Sequence, residues 1–469
     1  MKKTLLLAVL FLMPVFTISA QSVALPELGN RSSKYLSQKE EEDLKIRFLG
    51  SIYRSMKVIE DPEVVDYINT LGYKLVAASA ENTLKFRFLV IDDDSINAFA
   101  GPGGVIGVHT GLIRAARDEN ELAAVLAHEV AHITQKHLAR TFESVYRSSL
   151  PTAAAILAAI IVGRNSPQLG QAAITAATAG SVQGQLNFTR EHEVEADAVG
   201  VQLLADAGFP PSGMINFFQR LNSKTDLVKS DVPEFLRTHP MTLSRIAQTR
   251  SRVAALKSKV AGHGDSEGFK ALKVFLEVRH ELETPASSHQ DDDKNRDSGK
   301  KYYYIALKKL YRGDLAGAQK AVDVLLQKKP WELFYQVLQV RIFWAQDRYK
   351  EATRYLDELL KSQYQSQVLK YYLIQSYLFL DQVEKARQLL DEAMRSGKED
   401  YLYLPYAKAL ERQGDVVEAH QVLADLYLRQ GLFTEAIEQL SVAASQAEDE
   451  KRKKVIESRL AELRKRVSR

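Results

Sequence analysis

The 469-residue chain carries 63 lysine and arginine residues against 59 aspartate and glutamate, a formal net charge of +4, with 45% hydrophobic residues and no cysteine. The missing cysteine excludes disulfides, thiolate metal sites and thiol redox chemistry, and the near-balance of charge leaves no electrostatic footprint for nucleic acid. The length exceeds one ordinary domain, so two or three units, each with its own core, are expected.

The first element is a secretory signal over residues 1–20, "MKKTLLLAVLFLMPVFTISA", with two lysines, an apolar run too short to anchor in a bilayer and a small-residue exit at Ala20. Its removal leaves 61 basic against 59 acidic residues. From Leu36 to Ala78 the apolar residues recur at helical spacing, broken at Asp61-Pro62, which predicts two helices. Phe86, Phe88 and Val90 then alternate with Arg87, Leu89 and Ile91, and "GVIGVH" (104–109) follows the turn formers Gly101-Pro102-Gly103. Two or three strands are therefore expected, with "GVIGVH" as a sheet edge able to pair with an extended polypeptide.

The next segment, "ENELAAVLAHEVAHITQKHLAR", reads as an apolar helix with Asp118 as N-cap and Glu121 three residues on, running to Leu150-Pro151. His128 and His132 lie four apart and therefore on one helical face, a spacing suited to tetrahedral zinc. Glu129 sits beside the metal without binding it, placed to take a proton from water there and deliver it to a leaving amine. Histidines on an apolar helix need partners, which weakens the alternative of a plain solvated face. His137, nine residues from His128 and five from His132, is expected to point away from this site.

Two alanine-rich runs follow, 151–163 and 171–180, too short to cross a bilayer and expected as buried helices or a flap. In "FTREHEVEADAVGVQLLADAGFPP" a helix is predicted from a cap at Thr189 to Gly208. On it Glu193 and Asp197 are four apart: Glu193 can complete the metal site while Asp197 accepts the outer N–H of a ligand histidine. Spacing alone leaves Glu191, His192 and Glu195 open as rivals to Glu193. Residues 284–299 hold no large apolar side chain and read as a linker between a 21–283 unit and a 300–469 unit.

Beyond the linker Ala318, Ala352 and Ala386 are 34 apart, Ala419 comes 33 later and Ala436 a further 17, each after a turn sequence. This period, with Pro330 at a closing position, resembles the tetratricopeptide repeat and predicts a helical solenoid. The last helix, with Val455, Ile456, Leu460, Leu463 and Val467 on one side among basic residues, is expected to cap it; peripheral contact with an anionic membrane is the alternative.

"HEVAH" followed by "REHEVEAD" resembles the M48 family of zinc metallopeptidases, as do "SINAFAGPGGVIGVHTGLI" and "LRTHPMTLSRI", together covering about Asp61 to Arg245. The resemblance selects Glu193 as third ligand beside His128 and His132, implies one zinc ion per chain, and puts His239 near the metal. There His239 would be a fourth ligand or an oxyanion donor, unless it is a structural residue of the turn before Pro240. The resemblance implies an α+β, predominantly helical fold: a zincin-like metalloprotease domain with a small β-sheet, then the α-solenoid. Signal peptide, solenoid and lack of transmembrane helices narrow the likeness to periplasmic members that degrade misassembled outer-membrane β-barrel proteins and assist their assembly. Their implied partners are unfolded β-barrel proteins and, through the repeats, the β-barrel assembly machinery. A chaperone or adaptor with rare, gated proteolysis is the alternative, and a membrane-embedded protease of prenylated proteins is disfavoured by the lack of long apolar segments. The departure from the family pattern is Gly101-Pro102 after "NAFA", at the rim of the expected cleft.

Overall fold

The computed structural model describes residues 38–81, 84–145, 182–227, 233–256, 266–284, 298–362, 366–396 and 399–467; the signal segment, both alanine-rich runs and most of the linker lie outside them. Helix α1 (Gln38–Ser55) and helix α2 (Pro62–Ala77) are separated where Asp61-Pro62 predicted, with Asp61 at the N-cap and the proline at the first helical turn. Between them lies a strand too short to leave a pattern in the sequence, β1 (Val58–Ile59).

The strands β2 (Arg87–Ile91), β3 (Ala98–Ala100) and β4 (Val105–His109) complete one sheet in the order β1-β2-β4-β3. β2 and β4 run parallel, with Phe88 opposite Ile106, and β1 and β3 flank them antiparallel. The "GVIGVH" segment is thus an interior strand; the edges are β1 and β3, and β3 is the edge beside it. Burial explains the misreading: all five β4 residues are buried, so the run carries the apolar signature of a covered strand, while β3 is only three residues long. Gly101 and Pro102 form the turn joining β3 to β4, closed by a 2.7 Å bond from Gly101 N–H to the Val105 carbonyl.

Helix α3 (Thr110–Ala115) leads into α4 (Glu119–Thr134), started by the Asp118 side chain accepting from Glu121 N–H at 3.0 Å. α4 is buried almost all round, packed against α2, β3 and two later helices, α6 (Val182–Asp206) and α7 (Ser212–Leu227). It does not run on to Leu150. Lys136 adopts a left-handed backbone (φ 54°), which ends the first helix and starts a second, α5 (His137–Val145), in a new direction. α6 is also longer than expected, already helical at Val182, so Thr189 is an internal residue and not a cap. Helices α8 (Glu234–Thr238), α9 (Leu243–Ala255) and α10 (Glu267–Glu283) follow, the last two capped by Thr242 and Ser266.

The remaining described chain is a stack of helical hairpins: α11 (Ser298–Tyr311) with α12 (Leu315–Lys328), α13 (Leu333–Ala345) with α14 (Tyr349–Lys361), α15 (Gln367–Phe379) with α16 (Val383–Ser396), α17 (Tyr403–Arg412) with α18 (Val416–Arg429), and α19 (Phe433–Gln446) with α20 (Glu450–Val467). The repeated alanines are all fully buried at helix contacts. Five residues before each stands a left-handed turn residue, Gly313, Asp347, Asp381, Gly414 and Gly431, types that tolerate positive φ. In α20 only Ile456, Leu460 and Leu463 face the stack; Val455 and Val467 are exposed, a correction to the five-residue stripe read from the sequence.

The hydrophobic core does not stop at the linker. One contiguous cluster runs from Ile59 through α4 to Tyr303, Val322 and Ile342, so the first hairpin and α13 share the core of the sheet-bearing unit. Polar ties reinforce it. Arg341 reaches Glu63 Oε1 at 2.6 Å, Tyr372 donates to Glu63 Oε2 at 3.0 Å, and Arg279 pairs with Asp61 at 2.9 Å. Farther along, Arg87 pairs with Asp400 and donates to the Arg429 carbonyl at 2.7 Å. Beside them α1 meets the α18–α19 turn so closely that a Cβ on Gly50 would lie 2.3 Å from the Gly431 carbonyl oxygen. Gly50→Ala is expected to force this contact apart and to destabilise the folded chain by about 1–3 kcal/mol in denaturant unfolding, with faster amide exchange in α1 and α19.

Candidate metal centre

α4 and α6 cross in the middle of the core, and the residues that meet there are polar. His128 and Glu129 are fully buried, Asp197 is 1% exposed and Glu193 6%. His128 Nε2 lies 3.0 Å from His132 Nε2 and 3.4 Å from Glu193 Oε2, and His132 Nε2 lies 3.3 Å from Glu193 Oε1. His239, at the C-cap of α8, brings Nδ1 within 2.9 Å of Glu193 Oε1 and 3.4 Å of His128 Nε2. One donor atom from each of His128, His132, Glu193 and His239 falls within a 4.8 Å sphere of mutual distance. Three imidazoles and a carboxylate converging this closely fit a small divalent cation.

The outer atoms are braced differently for each histidine. Asp197 Oδ1 stands 3.1 Å from His128 Nδ1, and Arg245 of α9 holds that carboxylate with two bonds of 2.8 Å from Nε and Nη2 while its Nη1 reaches Glu193 Oε2 at 2.9 Å. His132 instead presents Nδ1 to His137 Nδ1 at 2.9 Å. His137 thus turns toward the cluster, against the expectation from a single straight helix, because the left-handed Lys136 swings its ring back over the last turn of α4. Of the sequence-level rivals to Glu193, His192 and Glu195 serve this outer layer: Glu195 contacts His137 Nε2 at 3.2 Å, and the His192 ring stacks on His137 at 4.2 Å. Glu191 is in none of these contacts.

The electrostatics follow from burial and these partners. Burial opposes charge on His128, but Asp197 and Glu193 outweigh it and raise the imidazole to about 10. Burial alone dominates at His132, lowered to about 3, with His128 and His239 adding to the effect and Glu193 opposing it. Against their own burial, Glu193 is held well below the ordinary carboxylate range by His239, His128 and His132, and Asp197 is lowered by His128 and Arg245. Glu129 moves the other way. Burial raises its pKa, no side chain among the described residues hydrogen-bonds its two oxygens, and the nearest ring nitrogen is His239 Nε2 at 3.6 Å from Oε1. A buried carboxylate with so little compensation, raised in pKa beside other titratable groups, is the kind of group found at functional sites.

β3 borders the cluster. Gly101 N–H and His109 N–H bond across to Val105 and Asn97, so in the antiparallel register the intervening Ala98 and Ala100 turn their backbone groups outward, toward the unpaired side. The Ala100 N–H is directed at the Glu129 carboxylate, which puts this edge beside that buried group. At the other end the edge is closed where Phe235 N–H bonds the Ile96 carbonyl at 3.0 Å.

Histidines at His-x-x-x-His spacing on one buried helix, a glutamate between them, and a carboxylate from a crossing helix define the class of metal-dependent endopeptidases. The profile of Peptidase family M48 matches residues 62–253. The chain is 32% identical over 441 residues to the beta-barrel assembly-enhancing protease of Escherichia coli, a match spanning 92% of this chain and 89% of that protein. It is 34% identical over 322 residues to the putative beta-barrel assembly-enhancing protease of Vibrio cholerae, covering 67% of this chain and 65% of that one. A shorter match, 31% over 180 residues, is to the mitochondrial metalloendopeptidase OMA1 of Schizosaccharomyces pombe, with 38% and 50% covered. The chain belongs to peptidase family M48 and is a metalloendopeptidase.

Arg245 and His137 were not assigned roles from the sequence. Arg245 lies inside the "LRTHPMTLSRI" motif, but nothing in its spacing says that a guanidinium will fork onto Asp197. Replacing Arg245 with leucine removes the guanidinium that forks onto buried Asp197 and touches Glu193, and is expected to cost about 3–5 kcal/mol in unfolding experiments, far more than the loss of a surface arginine.

Proposed function

We propose that the protein is a periplasmic zinc endopeptidase of outer-membrane quality control, acting on unfolded or misassembled β-barrel proteins and assisting their assembly. The observation that carries this reading is the convergence of His128, His132 and Glu193 beside a buried Glu129 that has no side-chain hydrogen-bond partner among the described residues and lies at the β3 strand edge. The near-full-length match to proteins named for β-barrel assembly supports the substrate class. The signal-like residues 1–20 support export, and no helix among the described residues is long and apolar enough to cross a membrane. In this reading residues 21–283 are the peptidase unit, 284–299 the join and 300–469 a tetratricopeptide-type solenoid that engages substrate or the assembly machinery.

The roles follow from the atoms. His128, His132 and Glu193 would hold the zinc, and His239 would serve as a fourth donor or as a hydrogen-bond donor to the developing oxyanion. The zinc supplies Lewis acidity, polarising the scissile carbonyl and bringing the pKa of water toward neutrality. Glu129 takes the proton of the attacking water on a carboxylate oxygen and returns it to the departing amine. Asp197 keeps the His128 proton on Nδ1, and Arg245 keeps Asp197 ionised. An extended segment pairs with the outward backbone of Ala98 and the Ala100 carbonyl, which selects unfolded chain over side-chain identity. His239 seated among the ligands favours a gated enzyme, and gating is what the adaptor alternative requires.

Glu129→Gln is expected to retain about one zinc per chain while losing about 10²–10⁴-fold in cleavage of an unfolded outer-membrane barrel protein. Surviving hydrolysis would remove the mechanism, whereas rescue of outer-membrane assembly in cells by the inactive variant would favour the adaptor reading. In the wild-type enzyme kcat/KM should rise with pH as Glu129 deprotonates, with its midpoint above that of an ordinary glutamate, because burial favours the protonated form.

A further inference from the structure

We infer that His137 is a positioning residue for the metal site, fixing the tautomer and ring angle of His132 through a histidine–histidine–carboxylate relay. The inference rests on the assignment of His132 as a zinc ligand. For His132 to present the lone pair of Nε2 inward, its proton must sit on Nδ1. Among the described residues the partner in reach of that N–H is His137 Nδ1 at 2.9 Å, and to accept it His137 must carry its own proton on Nε2. His137 Nε2–H then donates to Glu195 Oε2 at 3.2 Å, and Arg140 Nη1 donates to the same oxygen at 2.7 Å. Each proton position dictates the next, from Arg140 on α5 to the inward face of His132.

The geometry is built for this. His137 is 3% exposed, its ring is stacked on His192 at an interplanar angle of 8°, and it stands edge-on to His132 with centroids 4.8 Å apart. A left-handed non-glycine residue, Lys136, is what turns it there; such conformations persist where the surroundings demand them and gather at functional sites. His128 has a carboxylate directly behind it, while the ring behind His132 lengthens the same arrangement by one imidazole. The relay also ties α5 and α6 to the metal ligand, so three helices share its orientation.

Two substitutions of similar size separate positioning from packing. In His137→Asn the side-chain oxygen falls near the place of Nδ1 and can still accept from His132; in His137→Gln the amide falls near the place of Nε2 and can serve only Glu195. Zinc affinity of the full mature chain, measured by competition with a chromophoric chelator, is expected to weaken about 10–100-fold in His137→Gln and to stay within about threefold of wild type in His137→Asn. Equal affinity in both variants, whether retained or lost, would overturn the inference, as would tighter binding by the Gln variant. A wild-type chain that binds no zinc would overturn the ligand assignment itself and the relay with it, so the two failures are told apart by the first titration.

Discussion

Everything in this molecule is arranged around gathering three imidazoles and a carboxylate at one dry point. Such groups do not share a low-dielectric interior unless something compensates each of them. Here the compensation is layered. Arg245 neutralises Asp197 and leans on Glu193, Asp197 braces His128, and Glu195 with Arg140 stands behind His137 and His132. The core helices exist in the form they do because of these demands: α4 is apolar on almost every side except where His128, Glu129 and His132 project, and α6 alternates the acids that reach inward with those that serve the outer layer. The sheet contributes core side chains from β1, β2, β3 and β4 and the edge of β3.

Much of the architecture was legible in the amino-acid sequence because local rules and tertiary packing agree. Asp61-Pro62 starts a helix, Asp118 caps another, and alanines at a 34-residue period lie buried between stacked helices. Where sequence and structure part, packing overrode the local signal. "GVIGVH" looked like an edge because it is β-rich beside glycines, yet it is covered on both sides, and the edge strand next to it, Ala98 to Ala100, is too short to show any alternation. The composition change after Glu283 looked like a division between two cores, yet Tyr303, Val322 and Ile342 join the same cluster as Ile59. No linear pattern reports that two segments on either side of a polar stretch share one interior.

For the site, the helical repeat sufficed to bring His128 and His132 to one face, and the second glutamate-bearing helix could be found by its spacing. Choosing Glu193 among its neighbours required the likeness to a family, because Glu191, His192 and Glu195 satisfy much the same chemistry. What spacing hid was the outer layer. A single left-handed residue, Lys136, breaks the helix that a periodicity argument would draw straight through it, and with that break His137 moves from the far side to direct contact with His132. Arg245 was hidden for a different reason: its partner lies 48 positions away, and only the folded arrangement of α6 against α9 joins them.

The shared interior also makes the hairpin stack something other than a tethered accessory. Arg341 and Tyr372 grip Glu63 at the start of α2, α2 lies along α4, and α4 carries two of the metal-facing histidines. A displacement of the stack would therefore be passed through α2 to the helix that bears those rings. The solenoid is a brace of the cluster, so strain applied to one is shared by the other.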